Sequence, residues 1–348
     1  MKKTISKISL IVVVLIAITA CQQTPAVPTE TIEPVPEQEP APVVITSENA
    51  AELKSVYSAS VSSDYILAKW TNDSTAVWIM DSESASLYDS MSGEVIAQFA
   101  PVEDTAVLYD ASPDGKTVAY SQNGLEIKLF DVTTQADILN IVPEFPFSDV
   151  FFNTDGTQLG MPSLYDIEIV RWNTANGVEM DGLRGFETAA PVYSAKFGPD
   201  GKTLLWFSRG IVQPMDIATQ KMGPTLSHED FVTARQISPD GKVVATTAAG
   251  MVGGEYQPLL TLWDADSGEV LRQNALPTYF SSIAFSPDSS LLAASTEEGV
   301  LFFTVPHGDE VFRFDSAEVS NSLAFSPDGT QLIACGKEGT INIYEVNE

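Results

Sequence analysis

Ser112-Pro113-Asp114-Gly115 recurs unchanged as Ser238-Pro239-Asp240-Gly241 and as Ser326-Pro327-Asp328-Gly329. Looser copies are Thr71-Asn72-Asp73-Ser74, Asn153-Thr154-Asp155-Gly156, Gly198-Pro199-Asp200-Gly201 and Ser286-Pro287-Asp288-Ser289. Their starts are 41, 41, 45, 40, 48 and 40 residues apart, and Asp holds the third place in all seven. Proline presets φ near −65° at the first turn position, aspartate bonds its own backbone, and glycine takes the left-handed conformation where the chain re-enters a strand. The motif therefore reads as the loop of a hairpin with a type I turn and a glycine bulge. Ser74 and Ser289 stand where that glycine is expected and should be strained.

Short apolar strands flank each turn. Around the sixth copy they read as 281–285, 291–295, 300–305 and 310–314. Four short strands per roughly 40 residues is the spacing of a propeller blade rather than of a helical repeat. No window sustains a 3.6-residue period, so helix content should be near zero. After Ser326 only 22 residues remain, enough for two further strands. Ahead of Thr71 stand two unassigned segments: 66–70 is the inner strand of blade one, and 51–59 can supply the missing outer strand of blade seven. Joining the ends in this way removes an open sheet edge. The expected fold is all-β: a seven-bladed β-propeller over 45–348, of four-stranded antiparallel blades, with an N-terminal strand completing the last blade.

The residues before the propeller read differently. Lys2, Lys3 and Lys7 precede an eleven-residue apolar run, 8–18, too short for a comfortable transmembrane helix and right for a signal-peptide core. It ends in Ile18-Thr19-Ala20-Cys21, which resembles the bacterial lipoprotein processing box. That resemblance implies removal of 1–20, lipid attachment at Cys21, and an extracytoplasmic protein held to the cell membrane or outer membrane. Two or three acyl chains on one residue anchor stably where one is marginal. The segment 21–44 is the lipidated cysteine and a tether: residues 22–42 hold six prolines, four glutamates and no basic residue, and so should be disordered. At about 3.1 Å per residue, the tether would reach up to about 65 Å.

The formal net charge is −29, with 18 basic against 47 acidic residues. Such a surface repels phosphate backbones, so no nucleic-acid partner is expected. It suits solubility, a basic partner or divalent cations. Cys335 lies in the apolar run Leu332-Ile333-Ala334-Cys335 and reads as a small buried hydrophobe.

The repeat region resembles a WD-repeat propeller over about 300 residues. That family places an aromatic-Asp pair at the end of the third strand. Trp263-Asp264 matches it, Tyr88-Asp89 and Phe130-Asp131 come close, and Trp172-Asn173, Met215-Asp216, Phe303-Thr304 and Tyr344-Glu345 have drifted. No Gly-His pair occurs, which implies that the family's buried Asp-His-Ser/Thr network is absent. Degenerate repeats of this kind also resemble TolB-like periplasmic propellers. Pro214 falls inside a third strand and predicts a local bulge.

Nucleophile elbow, zinc-protease, P-loop and dinucleotide motifs are all missing. The two histidines, His228 and His307, lie in connections without triad context. Asp264-Ala265-Asp266-Ser267-Gly268-Glu269 resembles a calcium loop but lacks further ligands, and its place makes it a strand connection. No catalytic residue, cofactor or metal site is expected. The WD resemblance implies partner docking on the face that carries the blade links and the loops between second and third strands. The longest such insertion, 248–257, contains Met251, Glu255 and Tyr256, and its glycines should leave it mobile unless something orders it. Phe145, Phe186, Phe231 and Tyr279 lie in or near blade links and could add an apolar rim, with packing between blades the competing role. The function expected is a non-enzymatic, surface-tethered protein-binding or scaffolding module on a monomeric propeller. The alternative is an extracytoplasmic hydrolase or lyase with acids and a histidine converging at the channel mouth.

Overall fold

The computed structural model describes residues 42–346 apart from 62–66, 82–83, 102–105, 148, 164–167, 185–193, 209, 277, 279, 297, 316–321 and 337–338. The expectations for residues 1–41, lipid attachment at Cys21 among them, lie outside the described residues, as do Phe186 and Tyr279.

Seven antiparallel sheets make a seven-bladed β-propeller, and the described residues hold one complete 3-10 turn, Ala50–Glu52, and no α-helix. Blade one contains Leu67–Trp70, Ala76–Met80, Ala85–Asp89 and Val95–Phe99, from the first strand to the fourth. Blade five contains Val232–Ile237, Val243–Val252, Glu255–Asp264 and Val270–Ala275. Blade six contains Phe280–Phe285, Leu291–Thr296, Gly299–Thr304 and Glu310–Asp315. Blade seven takes three strands from the C-terminal end, Ser322–Phe325, Gln331–Cys335 and Thr340–Val346. Its fourth strand, Leu53–Ser60, comes from the start of the ring and pairs antiparallel with Thr340–Val346. The spacing-based closure is therefore the observed one. Side-chain contacts reinforce the seam, with Trp70 Nε1 donating to Ala324 O at 3.0 Å and Tyr57 Oη to Gly93 O at 3.1 Å.

The core is divided among the blades. Seven apolar clusters form, one at each junction between neighbours: Trp78 with Val118 between blades one and two, for example, and Ile79 with Ile343 between one and seven. Twisted sheets arranged radially around an axis have no common centre to fill, so burial accumulates between their faces. Ile45, fully buried, joins the cluster between blades six and seven, and Cys335 is buried between seven and one, its thiol pushed up to about 12 by burial.

Two local expectations change. Pro214 causes no bulge: the third strand of blade four, Ile211–Asp216, keeps unbroken register against Thr203–Ser208. The proline's missing donor faces the fourth strand, which is split into Lys221–Met222 and Leu226–Ser227. Gly223 N donates to Pro214 O at 2.8 Å, and the return bond that proline cannot make comes from Gln213 Nε2, 2.8 Å from Gly223 O. The second change concerns 248–257, which is no loop. The second and third strands of blade five run ten residues each and pair through Val252↔Glu255, joined by Gly253-Gly254 alone. Both glycines have positive φ, 63° and 93°, as a two-residue primed turn requires.

Candidate functional site

Successive hairpins of a meander alternate ends. The turns after first and third strands thus share one face of the ring, and the blade links share the opposite face with the turns after second strands. On the first, turn face, the repeated motif closes on itself. Gly115 N donates to Ser112 O at 3.1 Å and Ser112 N to Thr117 O at 2.8 Å, and the same two bonds recur at all seven copies. The motif serine is buried and central: Ser238 Oγ donates to Asp240 Oδ1 at 2.6 Å and accepts from Val243 N at 3.0 Å. Equivalent contacts are made by Ser112, Ser286 and Ser326. Hydrogen bonds from Thr71 and then Thr75 hold the Asp73 carboxyl below the ordinary range. Ser74 and Ser289 have φ of 62° and 63°, the left-handed strain the sequence predicts. Each hydroxyl accepts from a neighbouring turn, Ser74 from Asp328 N at 3.0 Å and Ser289 from Asp240 N at 3.1 Å.

The calcium-like stretch belongs to this face too. Asp264 Oδ1 accepts from Ser267 N and Oγ, each at 2.8 Å, and from Asp266 N at 3.2 Å, so its carboxylate organises the turn between third and fourth strands. Among the described residues no three His, Cys, Asp or Glu side chains converge as metal ligands.

The link face carries the long hairpin. About four residue pairs project beyond the length of the other blades, roughly 13 Å at 3.3 Å per residue. Met251 and Tyr256, directly paired across the strands, are 54% and 52% exposed, and Phe231 at the base is 57% exposed. Two acids brace the hairpin from the link before blade five. Tyr256 Oη donates to Asp230, and Met251 N donates to Glu229 Oε2 at 3.2 Å. These tethers add to the hairpin's own ten-pair ladder and its two-glycine turn in making the segment a defined strand pair. Glu255 is exposed beside the tip, whereas Phe145, 37% exposed, lies in the link before blade three.

His228 also lies in the link before blade five, but it is half-buried, with its Nε2 turned away from solvent, rather than an open surface loop residue. Its ring meets Trp263 edge-on at 5.2 Å, and burial pulls its pKa down to about 4. Trp263 Nε1 donates to Thr246 Oγ1 at 2.8 Å, while His228 Nε2 is buried without a partner. No carboxylate hydrogen-bonds this imidazole among the described residues.

The first strands border the ring axis and bring together charges that no motif announces. Lys69 Nζ reaches both oxygens of Asp110 at 2.7 and 2.8 Å, and Asp110 Oδ2 also accepts from Phe152 N at 2.8 Å. Arg235 Nη2 donates to Ser194 Oγ at 2.8 Å, and Ser194 Oγ donates in turn to Asp149 Oδ2 at 3.1 Å. The Arg235 guanidinium lies 4.7 Å from the Phe207 ring centroid, and burial, partly opposed by Asp149, pulls its pKa down to about 10. Burial raises the Asp149 carboxyl, against the Ser194 hydrogen bond. Lys196 keeps an exposed side chain, and desolvation by the surrounding blades, followed by Arg235 and Lys69, lowers its pKa. Sequence reading missed this group. Its one signal is that Lys69, Asp110, Lys196 and Gln236 all stand two residues before their blade's turn.

The comparisons with known proteins agree with this architecture. Residues 309–345 match the family described as WD domain, G-beta repeat, a stretch running from the fourth strand of blade six through the third of blade seven. The chain is 30% identical over 162 residues to the WD repeat-containing protein SL1-17 of Schistosoma mansoni, which covers 46% of this chain and 50% of that protein. It therefore spans about half the length of the curated relative it matches. Among solved structures it is similar to the Cps50 (Swd1) β-propeller domain of Myceliophteria thermophila, with a TM-score of 0.65 at 14% identity, covering 85% of this chain and all of that one. The last likeness is one of fold. WD-repeat propellers are generally protein-interaction or scaffold modules.

Proposed function

We propose that this protein is a non-enzymatic protein-binding module displayed outside a bacterial cell on a lipid attached to Cys21. The observation that carries the binding role is the blade-five hairpin. It raises Met251 and Tyr256 over an exposed Phe231 on the link face, with Glu229, Asp230 and Glu255 around them. Aromatic and methionine side chains presented on a rigid support are the usual anchors of an interface. The acids around them favour a partner segment that combines apolar side chains with lysine or arginine, in keeping with the overall charge of −29.

Lack of a histidine beside the axial acids weighs against the hydrolase or lyase reading. Asp110 is held by Lys69 and Asp149 by Ser194, while His228 packs on Trp263 in the blade-five link. The test is photo-crosslinking in intact cells from position 256, repeated with Met251→Ala and Phe231→Ala. One discrete partner, lost in both variants, is the expected result. Turnover of a substrate by the purified protein without such a partner overturns the proposal. Separately, Cys21→Ser should move the protein from the membrane fraction to the soluble one, and continued membrane association refutes the anchor.

A further inference from the structure

Blade two ends on the link face in a row of apolar side chains that the ring leaves uncovered. Val107 opens its first strand, Val107–Ala111, and Leu125 lies in the turn between Thr117–Ser121 and Ile127–Asp131. Val142 follows the fourth strand, Ala136–Ile141. The ladders pair Val107 with Ser121 and Ile127 with Ile141, so all three side chains leave the same end of one sheet. The row spans three strand spacings, about 14 Å. Leu125 is 70% exposed, Val142 is 72% exposed, and Val107 is exposed beside them.

The support under this row is fixed. Gly124 N donates to Ser121 Oγ at 2.9 Å and Leu125 N to Asn123 Oδ1 at 2.8 Å, closing the turn that carries Leu125. Beyond Val142 the link contains Pro143 and Pro146, whose φ is preset, and the Phe147 ring packs 5.6 Å from that of Tyr109 in the first strand. Apolar groups on such a support meet a partner with little ordering cost. Packing between blades does not use them, because blade two turns Ile127, Leu129 and Ile141 toward blade three for that purpose.

Charge indicates what covers the row. Glu126, next to Leu125, and Asp137 share Lys128 at 3.7 and 3.4 Å, and Glu144 stands exposed two residues after Val142. Three acids against one lysine leave the surroundings of the row negative. A second copy of this chain, itself at −29, would bring like charge to it. A segment with lysine or arginine beside its apolar side chains brings the opposite charge. The blade-five hairpin, braced by Glu229 and Asp230, makes the same demand. It stands three of seven blade positions away, nearly opposite across the mouth of the ring.

We infer that Val107, Leu125 and Val142 form a second contact for the partner of the hairpin, a protein segment that combines apolar side chains with lysine or arginine and crosses the link face from blade five to blade two. This contact presupposes the binding role proposed for the hairpin, yet it can fail while that role stands.

Photo-crosslinking in intact cells from position 125 of the full chain, with mass spectrometry of the joined peptide, tests the contact. The protein captured from position 256 should also be captured from 125, through a peptide that contains lysine or arginine among apolar residues. Val142→Ser should weaken capture from 125 by about fivefold or more. Ile138→Ser, a like change at an exposed residue of the outer strand of the same blade, should leave it unchanged. Both side chains are exposed, so both variants should unfold as the wild type does. Capture from 256 but not from 125 rejects the second contact and leaves the hairpin as the whole site. The second contact is also rejected if 125 joins to another copy of this chain or to a peptide without basic residues, or if Val142→Ser captures as well as the wild type. Capture from 125 but not from 256 overturns the hairpin's role and the shared footprint together.

Discussion

On the turn face, seven hairpins close with the same two backbone bonds, and the polar side chains of the motif are consumed in closing them. On the link face, the second and third strands of blade five outgrow the five- or six-residue second strands of the other blades, and exposed Met251, Tyr256 and Phe231 gather around them. One end of the ring repeats because each blade needs the same turn there. The other departs from the repeat because nothing in the closure of the ring restrains it. A function that must be particular to this chain has room on the link face and along the axis, and little on the turn face.

Acid should separate the two faces most strongly. The turn carboxyl of Asp73 is held below its ordinary range by hydrogen bonds and stays ionised down to the pH at which free carboxylates titrate. His228, in the blade-five link, is held neutral by burial down to about 4. Its folded pKa lies below the unfolded value near 6.5, so the unfolded state takes up the proton first, and stability falls as pH drops from 6.5 toward 4. Two units of that interval correspond to about 2.7 kcal/mol, reduced to about 2 kcal/mol by the imidazole's residual solvent contact. Asp149, raised by burial, works in the opposite direction. Urea denaturation at pH 6.5 and 4.5 should show this loss in the wild type and much less of it in His228→Phe. An equal loss in both would place the acid-sensitive group elsewhere.

The next largest effect belongs to the turn face. Ser238→Ala removes the donor to Asp240 and leaves Val243 N without its acceptor in a buried place, a loss of about 1.5 kcal/mol. The same substitution at Ser286 and Ser326 should cost alike, because the contacts are alike. Widely different values from thermal or urea unfolding would mean that the repeat is less uniform than its geometry. Gln213→Leu comes third. It strips Gly223 O of the donor that replaces the missing proline N–H, at about 1 kcal/mol. Restoring a backbone donor with Pro214→Val in the same chain should recover most of that loss, and failure to do so would show that the side-chain bond is incidental.

The same contrast governs what could be read from the sequence. Turn, blade number and closing strand were legible because Pro, Asp and Gly each answer a backbone requirement that recurs every 40 residues or so. The role of the buried serine is not legible there, since hydroxyl groups occupy turns for many reasons and only burial shows that Ser238 is central. The sequence shows that 248–257 joins second and third strands, but not what orders it. Glycine content signals freedom, and the bonds from Tyr256 to Asp230 and from Met251 to Glu229 span more than 20 residues of sequence. The axial charges were illegible for a deeper reason. Lys196 differs from Lys69 only in what the following blade offers at the same height, and no local pattern records the neighbour in space.

The smallest stability effect is expected at the hairpin itself, and its smallness carries the argument. Met251 and Tyr256 are exposed on strands held by their own ladder and by Gly253-Gly254, so Met251→Ala and Tyr256→Ala should each change unfolding free energy by less than about 0.5 kcal/mol. Tyr256→Phe should do still less, losing only a solvent-facing bond to Asp230. Partner binding should rank these variants differently. Tyr256→Ala and Met251→Ala remove anchor area, and a tenfold or greater loss of cross-linking from position 231 is expected of each. Tyr256→Phe keeps the ring and should retain most of the capture. If phenylalanine and alanine at 256 are equally poor, the partner reads the hydroxyl or its acid neighbour, and the interface is polar. If both bind as wild type does, the hairpin is an ornament of blade five, and the link face has no claim over the turn face.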